Sequence, residues 1–190
     1  NRLLIITGAG QKSFSSGVDL EAVADFPSAD EARRFALQLE AANEALLRFP
    51  KPVIAAINGY ALGGGFGLAA SADVRLLTPS AKIGFTAVRL GAVLPIGCTL
   101  RLNALIGSGR SRELLLSARL VEAQEALRIG LVSFIAKKGD LLPQAYRLAE
   151  EILQGADLAL QMTKQMTNQH LLAQLQQYSA AAAENFAFLA

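Results

Sequence analysis

The chain reads as an α/β or α+β protein in which strands alternate with helices early and helices dominate late. Three observations carry that reading. Uninterrupted apolar runs at residues 3–7 and 53–57 stop at glycine-containing turns, as strands covered on both faces do. Between them, apolar residues recur at steps of three and four, the period of a helix face. Beyond residue 100 the pattern is helical almost throughout.

The elements follow in order. Leu3-Leu4-Ile5-Ile6-Thr7 is a buried strand ended by Gly8-Ala9-Gly10, and residues 11–19 form a polar loop. Ser28-Ala29-Asp30-Glu31 has the form of a capping box, the serine oxygen taking one orphan N–H and the glutamate reaching back to another. The helix it opens presents Phe35, Leu39, Ala42, Leu46 and Phe49 on one face, and Pro50 and Pro52 end it. Val53 to Ile57 is a second buried strand, Asn58-Gly59 a turn, and Gly63-Gly64-Gly65 the entry to a helix of small residues reaching Ala72. A third strand occupies residues 73–77, followed by the turn Thr78-Pro79-Ser80. Residues 90–100 read as irregular, broken by Gly91, Pro95 and Gly97. Helices are then expected around residues 100–106, 112–117, 122–129 and 141–153, with a short strand at 132–135 and two more helices from about residue 158.

Composition narrows the function. With 190 residues the chain has the length of one domain, and 52% hydrophobic against 18% charged residues excludes a disordered chain. The 18 basic and 16 acidic side chains leave +2, which with no Trp gives no support to nucleic-acid binding. One cysteine, Cys98, makes no intrachain disulfide, so a reducing, cytoplasmic setting is expected. With one histidine, His170, neither a zinc site of the usual type nor an ordinary serine triad is expected, and no metal is called for. Residues 52–72 carry no charge, yet their five glycines and Asn58 make them strand, turn and helix rather than a membrane span. Asn1 falls within an apolar strand pattern with no charged leader before it, so the first part of the fold is expected to be missing rather than replaced by a signal peptide.

Two glycine clusters invite ligands. Gly8-Ala9-Gly10-Gln11-Lys12-Ser13 follows a strand, but a P-loop requires glycine at positions held by Ile6 and Gln11, and a dinucleotide fingerprint requires Gly or Ala at Ser13. The reading here is a turn at a strand end. Gly63-Gly64-Gly65-Phe66-Gly67 lies between a buried strand and a helix, where bare peptide N–H groups suit an anion or a carbonyl oxygen acquiring charge. Close packing of helix on strand explains the same glycines.

The whole pattern resembles the crotonase superfamily of enoyl-CoA hydratases and isomerases. Ile6-Thr7-Gly8-Ala9-Gly10 with Phe14-Ser15-Ser16-Gly17-Val18-Asp19-Leu20 is similar to its first signature. Pro50-Lys51-Pro52-Val53-Ile54-Ala55-Ala56-Ile57-Asn58-Gly59-Tyr60-Ala61-Leu62-Gly63-Gly64-Gly65 resembles the second. Ala81-Lys82-Ile83-Gly84, Val88-Arg89-Leu90-Gly91 and residues 122–132 continue the likeness in order.

The resemblance implies a ββα spiral core, assigned to residues 1–135, and a helical trimerisation region at 136–190, with a homotrimer or hexamer as the assembly. It implies that the first strands and the last helix of the fold lie outside this chain. It also implies an acyl-CoA thioester as substrate, with no separate cofactor, and a place in fatty acid metabolism. The backbone N–H groups of Val18 and Gly64 would form the oxyanion hole, and Ser16, Gly17, Val18, Gly63 and Gly64 would hold the CoA thioester.

The likeness breaks at the acids. The family's two glutamates fall at Gly67 and Ala87, and a further acidic position falls near Pro95. Hydration by the usual two-carboxylate route is therefore not expected. Three readings stay open. Decarboxylation of a malonyl-type thioester needs no base, with Thr86 and Tyr60 positioning a carboxylate or delivering a proton. A displaced acid, Glu21 or Asp19, would restore hydratase or isomerase chemistry. A non-catalytic acyl-CoA-binding subunit is the third. Asp73 reads as structural, Arg89, Arg101 and Glu113 as surface or intersubunit charges, Cys98 as a small core residue and His170 as an exposed or interfacial side chain.

Overall fold

The computed structural model describes residues 1–19, 21, 28–92 and 94–187. Leu20 of the first signature and Val93 of the irregular stretch lie outside the described residues. The elements are β1 (Leu4–Thr7), β2 (Ser13–Ser15), α1 (Ala29–Arg48), β3 (Val53–Ile57), β4 (Tyr60–Leu62), α2 (Gly64–Ala70), β5 (Val74–Leu77) and β6 (Lys82–Gly84). A 3₁₀ turn (Ala87–Leu90) then leads to α3 (Ile96–Ser117), β7 (Val121–Glu122), α4 (Ala123–Arg128), β8 (Phe134–Ile135), α5 (Leu141–Ile152) and α6 (Asp157–Ala187).

From β1 to β6, consecutive strands alternate between two sheets. One sheet runs β1-β3-β5-β8, parallel throughout, with Leu4 opposite Val53, Ile54 opposite Val74 and Leu76 opposite Phe134. The other runs β2-β4-β6-β7, parallel except for the antiparallel β6–β7 pair. Each strand–strand–helix unit thus advances the chain by one position in both sheets, which is the ββα spiral. The second sheet is the main departure from the periodicity reading. Its strands are two or three residues long, too short to show an alternating pattern, and the sequence marks them as loop and turn.

Alternation explains why β3 is buried along its whole length. Val53, Ala55 and Ile57 enter the main core with Phe66, Leu77, Ile83 and Leu102. Ile54 and Ala56 face the opposite way and pack with Leu76, Ala145 and Ala149 under α5. Helix boundaries also differ from expectation. The capping serine works, Ser28 Oγ accepting the Glu31 N–H at 3.3 Å, while the Glu31 carboxylate pairs with Arg34 at 3.7 Å. The two helices expected near 100–117 are the two segments of α3, which meet at a non-helical break at Gly107. The tail, read as two helices, is the single helix α6.

The apolar face assigned to α1 is only half-buried, and its Ala42 is exposed. The deepest stripe is Ala32, Ala36, Glu40, Asn43 and Leu47, again at steps of four and three. Polar residues at two of these positions hid it.

Helix α6 is bound to the end of α1 by one ammonium group. Lys164 Nζ donates to the carbonyls of Leu46 and Lys51, both at 3.0 Å, and to Asp73 Oδ2 at 2.8 Å. All three of its donors are used, and the group sits 5.9 Å from the Phe49 ring centroid. The last carbonyls of a helix have no intrahelical partner, so a buried cation there satisfies them and favours the negative end of the helix. Asp73 also accepts the Val53 N–H at 2.7 Å, which joins the same node to the start of β3. Asn168 Nδ2 adds a bond to the Leu47 carbonyl at 3.1 Å. Lys164→Met is expected to lower unfolding free energy by about 1.5–3 kcal/mol, the usual worth of hydrogen bonds to a charged group, read as a fall in the urea midpoint.

Candidate active site

The site is built where the loop after β2 meets the start of α2. Asn58 fixes the Gly8–Gly10 turn that leads into β2. Its side-chain amide donates to the carbonyls of Gly8 (3.2 Å) and Gly10 (3.0 Å), and its oxygen accepts the Gly8 N–H at 3.0 Å. The chain leaving β2 then turns at Gly17, whose φ of +97° is open to glycine but strained for other residues. The Ser15 hydroxyl accepts the Gly17 N–H at 3.2 Å and stabilises the turn.

A side chain at Gly17 would lie 2.9 Å from the Leu62 carbonyl oxygen and 3.1 Å from the Gly64 nitrogen. One residue later, Val18 Cγ1 lies 3.8 Å from the place a Gly64 Cβ would take. Gly65 is tighter still, since a Cβ there would overlap the Ser15 backbone. The Gly63 peptide is held at both ends, its N–H on the Gly84 carbonyl (2.9 Å) and its oxygen on the Gly67 N–H (3.0 Å). Among the described residues the Val18 and Gly64 N–H groups have no protein acceptor.

Gly17, Val18, Gly63 and Gly64 are thus brought together, with Ser16 exposed between Ser15 and Gly17. Thr86 is half-buried at the head of the 3₁₀ turn, next to Phe85, whose ring packs 5.1 Å from that of Phe66 in α2. Tyr60 stands at the opposite end of β4, 46% exposed and about 10 Å ahead of Gly63 by strand rise. Of the two acids expected beside the loop, Glu21 is exposed, and Asp19 Oδ1 accepts the Glu21 N–H at 3.0 Å. Among the described residues no three His, Cys, Asp or Glu side chains gather to hold a metal ion, and no helix is long and apolar enough to cross a membrane.

The family profile described as enoyl-CoA hydratase/isomerase matches residues 1–189. The chain belongs to the enoyl-CoA hydratase/isomerase family. A crotonyl-CoA hydratase of Syntrophomonas wolfei is 39% identical over 184 residues, 97% of this chain and 70% of that protein. A short-chain-enoyl-CoA hydratase of Clostridium acetobutylicum is 38% identical, across 87% of this chain and 63% of its own length. The chain therefore spans roughly two thirds of these relatives. Among solved structures, Pseudomonas aeruginosa DspI superposes with a TM-score of 0.85 at 33% identity, covering 97% of this chain and 70% of that one. An enoyl-CoA hydratase from Bacillus anthracis gives 0.83 at 35% identity, over 95% and 72%. The ββα spiral is the fold of this crotonase superfamily.

Within that family frame, the surroundings of Gly67 are unexpected. A Cβ on Gly67 would lie 3.0 Å from Cys98 Sγ and 3.4 Å from Asn43 Nδ2. Asn43 is on the deep stripe of α1, and Glu40, one turn earlier, forms a buried ion pair with Arg101 of α3. Arg101, read from sequence as a surface or intersubunit charge, is 1% exposed. The signal that could have located this cluster is the Ala32–Ala36 stripe, whose continuation at helical spacing lands on Glu40 and Asn43. Cys98 is sealed beside it, and burial pushes its thiol up to about 12.

Two tests follow from this packing. Gly65→Ala is expected to cost about 1–3 kcal/mol, because the Ser15 backbone has to move to admit the methyl group; chemical denaturation reads the loss. Native protein is expected to resist iodoacetamide at pH 8 and to react once unfolded in urea. An unfolded thiol ionises near 9.0 while the folded one keeps its proton to about 12, so the unfolded state binds fewer protons in that window. Stability therefore falls as pH rises from 9 towards 12, and Cys98→Ala removes that part of the slope in denaturant midpoints.

Proposed function

We propose that the chain is an acyl-CoA thioester enzyme that holds a thioester enolate between the backbone N–H groups of Val18 and Gly64. The observation that carries this reading is the pair of unpartnered donors held next to each other by glycine contacts at Gly17 and Gly64. An enolate places its charge on one oxygen, and two fixed donors aimed at that oxygen stabilise it more than the neutral thioester. Ser16, Gly17 and Gly63 border the donors and would contact the CoA thioester. The named relatives, hydratases of crotonyl-CoA and short-chain enoyl-CoA, support 2-enoyl thioesters as the substrate class.

The two-glutamate route has no carboxylate at Gly67 or Ala87, and Pro95 caps α3 where the third acidic position falls. A non-catalytic acyl-CoA-binding role is the second reading, favoured by these three positions. Incubation with crotonyl-CoA, a 3-enoyl-CoA and methylmalonyl-CoA, followed by mass spectrometry and chromatography, separates the outcomes. Gain of water, a double-bond shift or loss of CO₂ supports the enzyme; bound but unaltered thioesters support the second reading.

The donor itself is testable without disturbing the helix. Gly64 is the first residue of α2, a position that accepts proline because its N–H makes no intrahelical bond. Gly64→Pro is expected to lower kcat by about 10²–10³-fold, the usual effect of removing one oxyanion donor, while circular dichroism stays unchanged.

A further inference from the structure

Resting on the enolate reading above, we propose that Glu40, with Asn43, supplies the water-activating carboxylate that the family positions Gly67 and Ala87 no longer carry. Four facts converge. Leu39 of α1 touches the oxyanion residue Gly64: its Cδ1 lies 3.3 Å from the Gly64 Cβ position. One turn further along both helices, Asn43 faces Gly67, so α1 and α2 run side by side from the oxyanion donor to the vacated acid position. One helical turn is about 5 Å, a span that an enoyl thioester covers once the hydrogen bond to its oxygen and the water at its β-carbon are added to its own length. The carboxylate of Glu40 covers Gly97, where any side chain would overlap it, and it is next to Cys98.

The pair is held at one end, and at the other it buries polar atoms that nothing engages. Glu40 Oε1 accepts from Arg101 Nη2, while among the described residues Glu40 Oε2, Asn43 Nδ2 and the Nε and Nη1 of Arg101 are buried with no hydrogen-bond partner. Glu40 is 7% exposed overall and Asn43 1%, and such buried polar atoms are costly unless a ligand or water engages them. The Arg101 side chain is fully buried, whereas the Glu40 side chain keeps 10% of its surface accessible. A free acceptor and a free donor three residues apart on one helix face are the two contacts a reacting water requires: it accepts from Asn43 and donates to Glu40.

The chemistry balances with one carboxylate. Glu40 Oε2 takes a proton from water as the water oxygen bonds to the β-carbon of the 2-enoyl thioester. The carbon–carbon π electrons move to the thioester oxygen, held by Val18 and Gly64. The enolate re-forms its carbonyl as the α-carbon takes the proton from Glu40, which returns to the carboxylate. Both hydrogens and the oxygen of one water end in the product. Arg101 is a positioning residue: it fixes the carboxylate and compensates its charge.

The experiment measures hydration of crotonyl-CoA and trans-2-octenoyl-CoA, with butyryl-CoA affinity measured in parallel by calorimetry. Glu40→Gln is expected to lower kcat by about 10²–10⁴-fold, the range for one acid–base group, with butyryl-CoA affinity within threefold of wild type. Glu40→Asp is expected to recover part of the lost kcat without a change in KM. If Glu40→Gln does not fold, Glu40→Gln/Arg101→Met removes both charges together and leaves neither buried alone. That double variant is expected to bind butyryl-CoA and fail to hydrate. Hydration within threefold of wild type in either folded variant overturns the proposal, as does a loss of kcat matched by an equal loss of affinity. A wild-type protein that binds butyryl-CoA but hydrates neither substrate also overturns it while leaving the oxyanion reading standing. A wild type that does neither overturns both.

Discussion

The site depends on one constraint, that two stretches of backbone approach more closely than side chains permit. Gly65 lies against the Ser15 backbone, and Gly17 stands over the Leu62 carbonyl and the Gly64 nitrogen. That approach sets Val18 beside Gly64, two residues whose N–H groups have no protein acceptor among the described residues. It also accounts for the spiral, because β2 and β4 pair only if the loops that end them pack flush. The Asn58 amide holds the Gly8–Gly10 turn from the side, so the strand end does not drift from its neighbour.

The second organising element is α1, which belongs to the site as much as to the core. Its half-buried Leu39 covers the oxyanion residue, and its deep stripe carries Glu40 and Asn43 against Gly67 and Gly97. Two glycines, one in α2 and one in α3, therefore make room for polar side chains from a third helix. A glutamate at position 67 would project into the volume now filled by Asn43 and Cys98. The absence of an acid at position 67 and the presence of the buried pair are two aspects of one packing arrangement, in which the Glu40 carboxylate lies on Gly97 and Asn43 on Gly67.

Sequence legibility followed length and chemistry. The strands β1 and β3 were legible because four or five consecutive apolar residues ending in a turn leave few alternatives, and β5 because Val74-Arg75-Leu76-Leu77 runs into the turn Thr78-Pro79-Ser80. The meeting of the loop at Gly17 and Val18 with Gly63-Gly64-Gly65 was legible through the glycines, whose order has a backbone reason. The second sheet was not, since Ser13–Ser15, Tyr60–Leu62 and Lys82–Gly84 are held by pairing between distant residues rather than by local pattern. Glu40, Asn43 and Arg101 escaped for a different reason. A periodicity reading places polar residues outside, and only the contact of Glu40 with a residue 61 positions away reverses that assignment. The C-terminal segment was split in two although Asp157–Ala187 contains no glycine or proline to end a helix.

The Lys164 node has a consequence for how the molecule is made. The carbonyl of Leu46 waits for a partner 118 positions later in the chain, and that of Leu47 for one 121 positions later. A ribosome delivers α1, the strands and the oxyanion loop well before it delivers the cation that secures the end of α1. During that interval the wall bearing Glu40 and Asn43 has its helix but not its anchor, and closure of such a long loop carries the entropy cost of its length. The nascent chain therefore completes its sheets first and locks its reactive wall last, when α6 emerges.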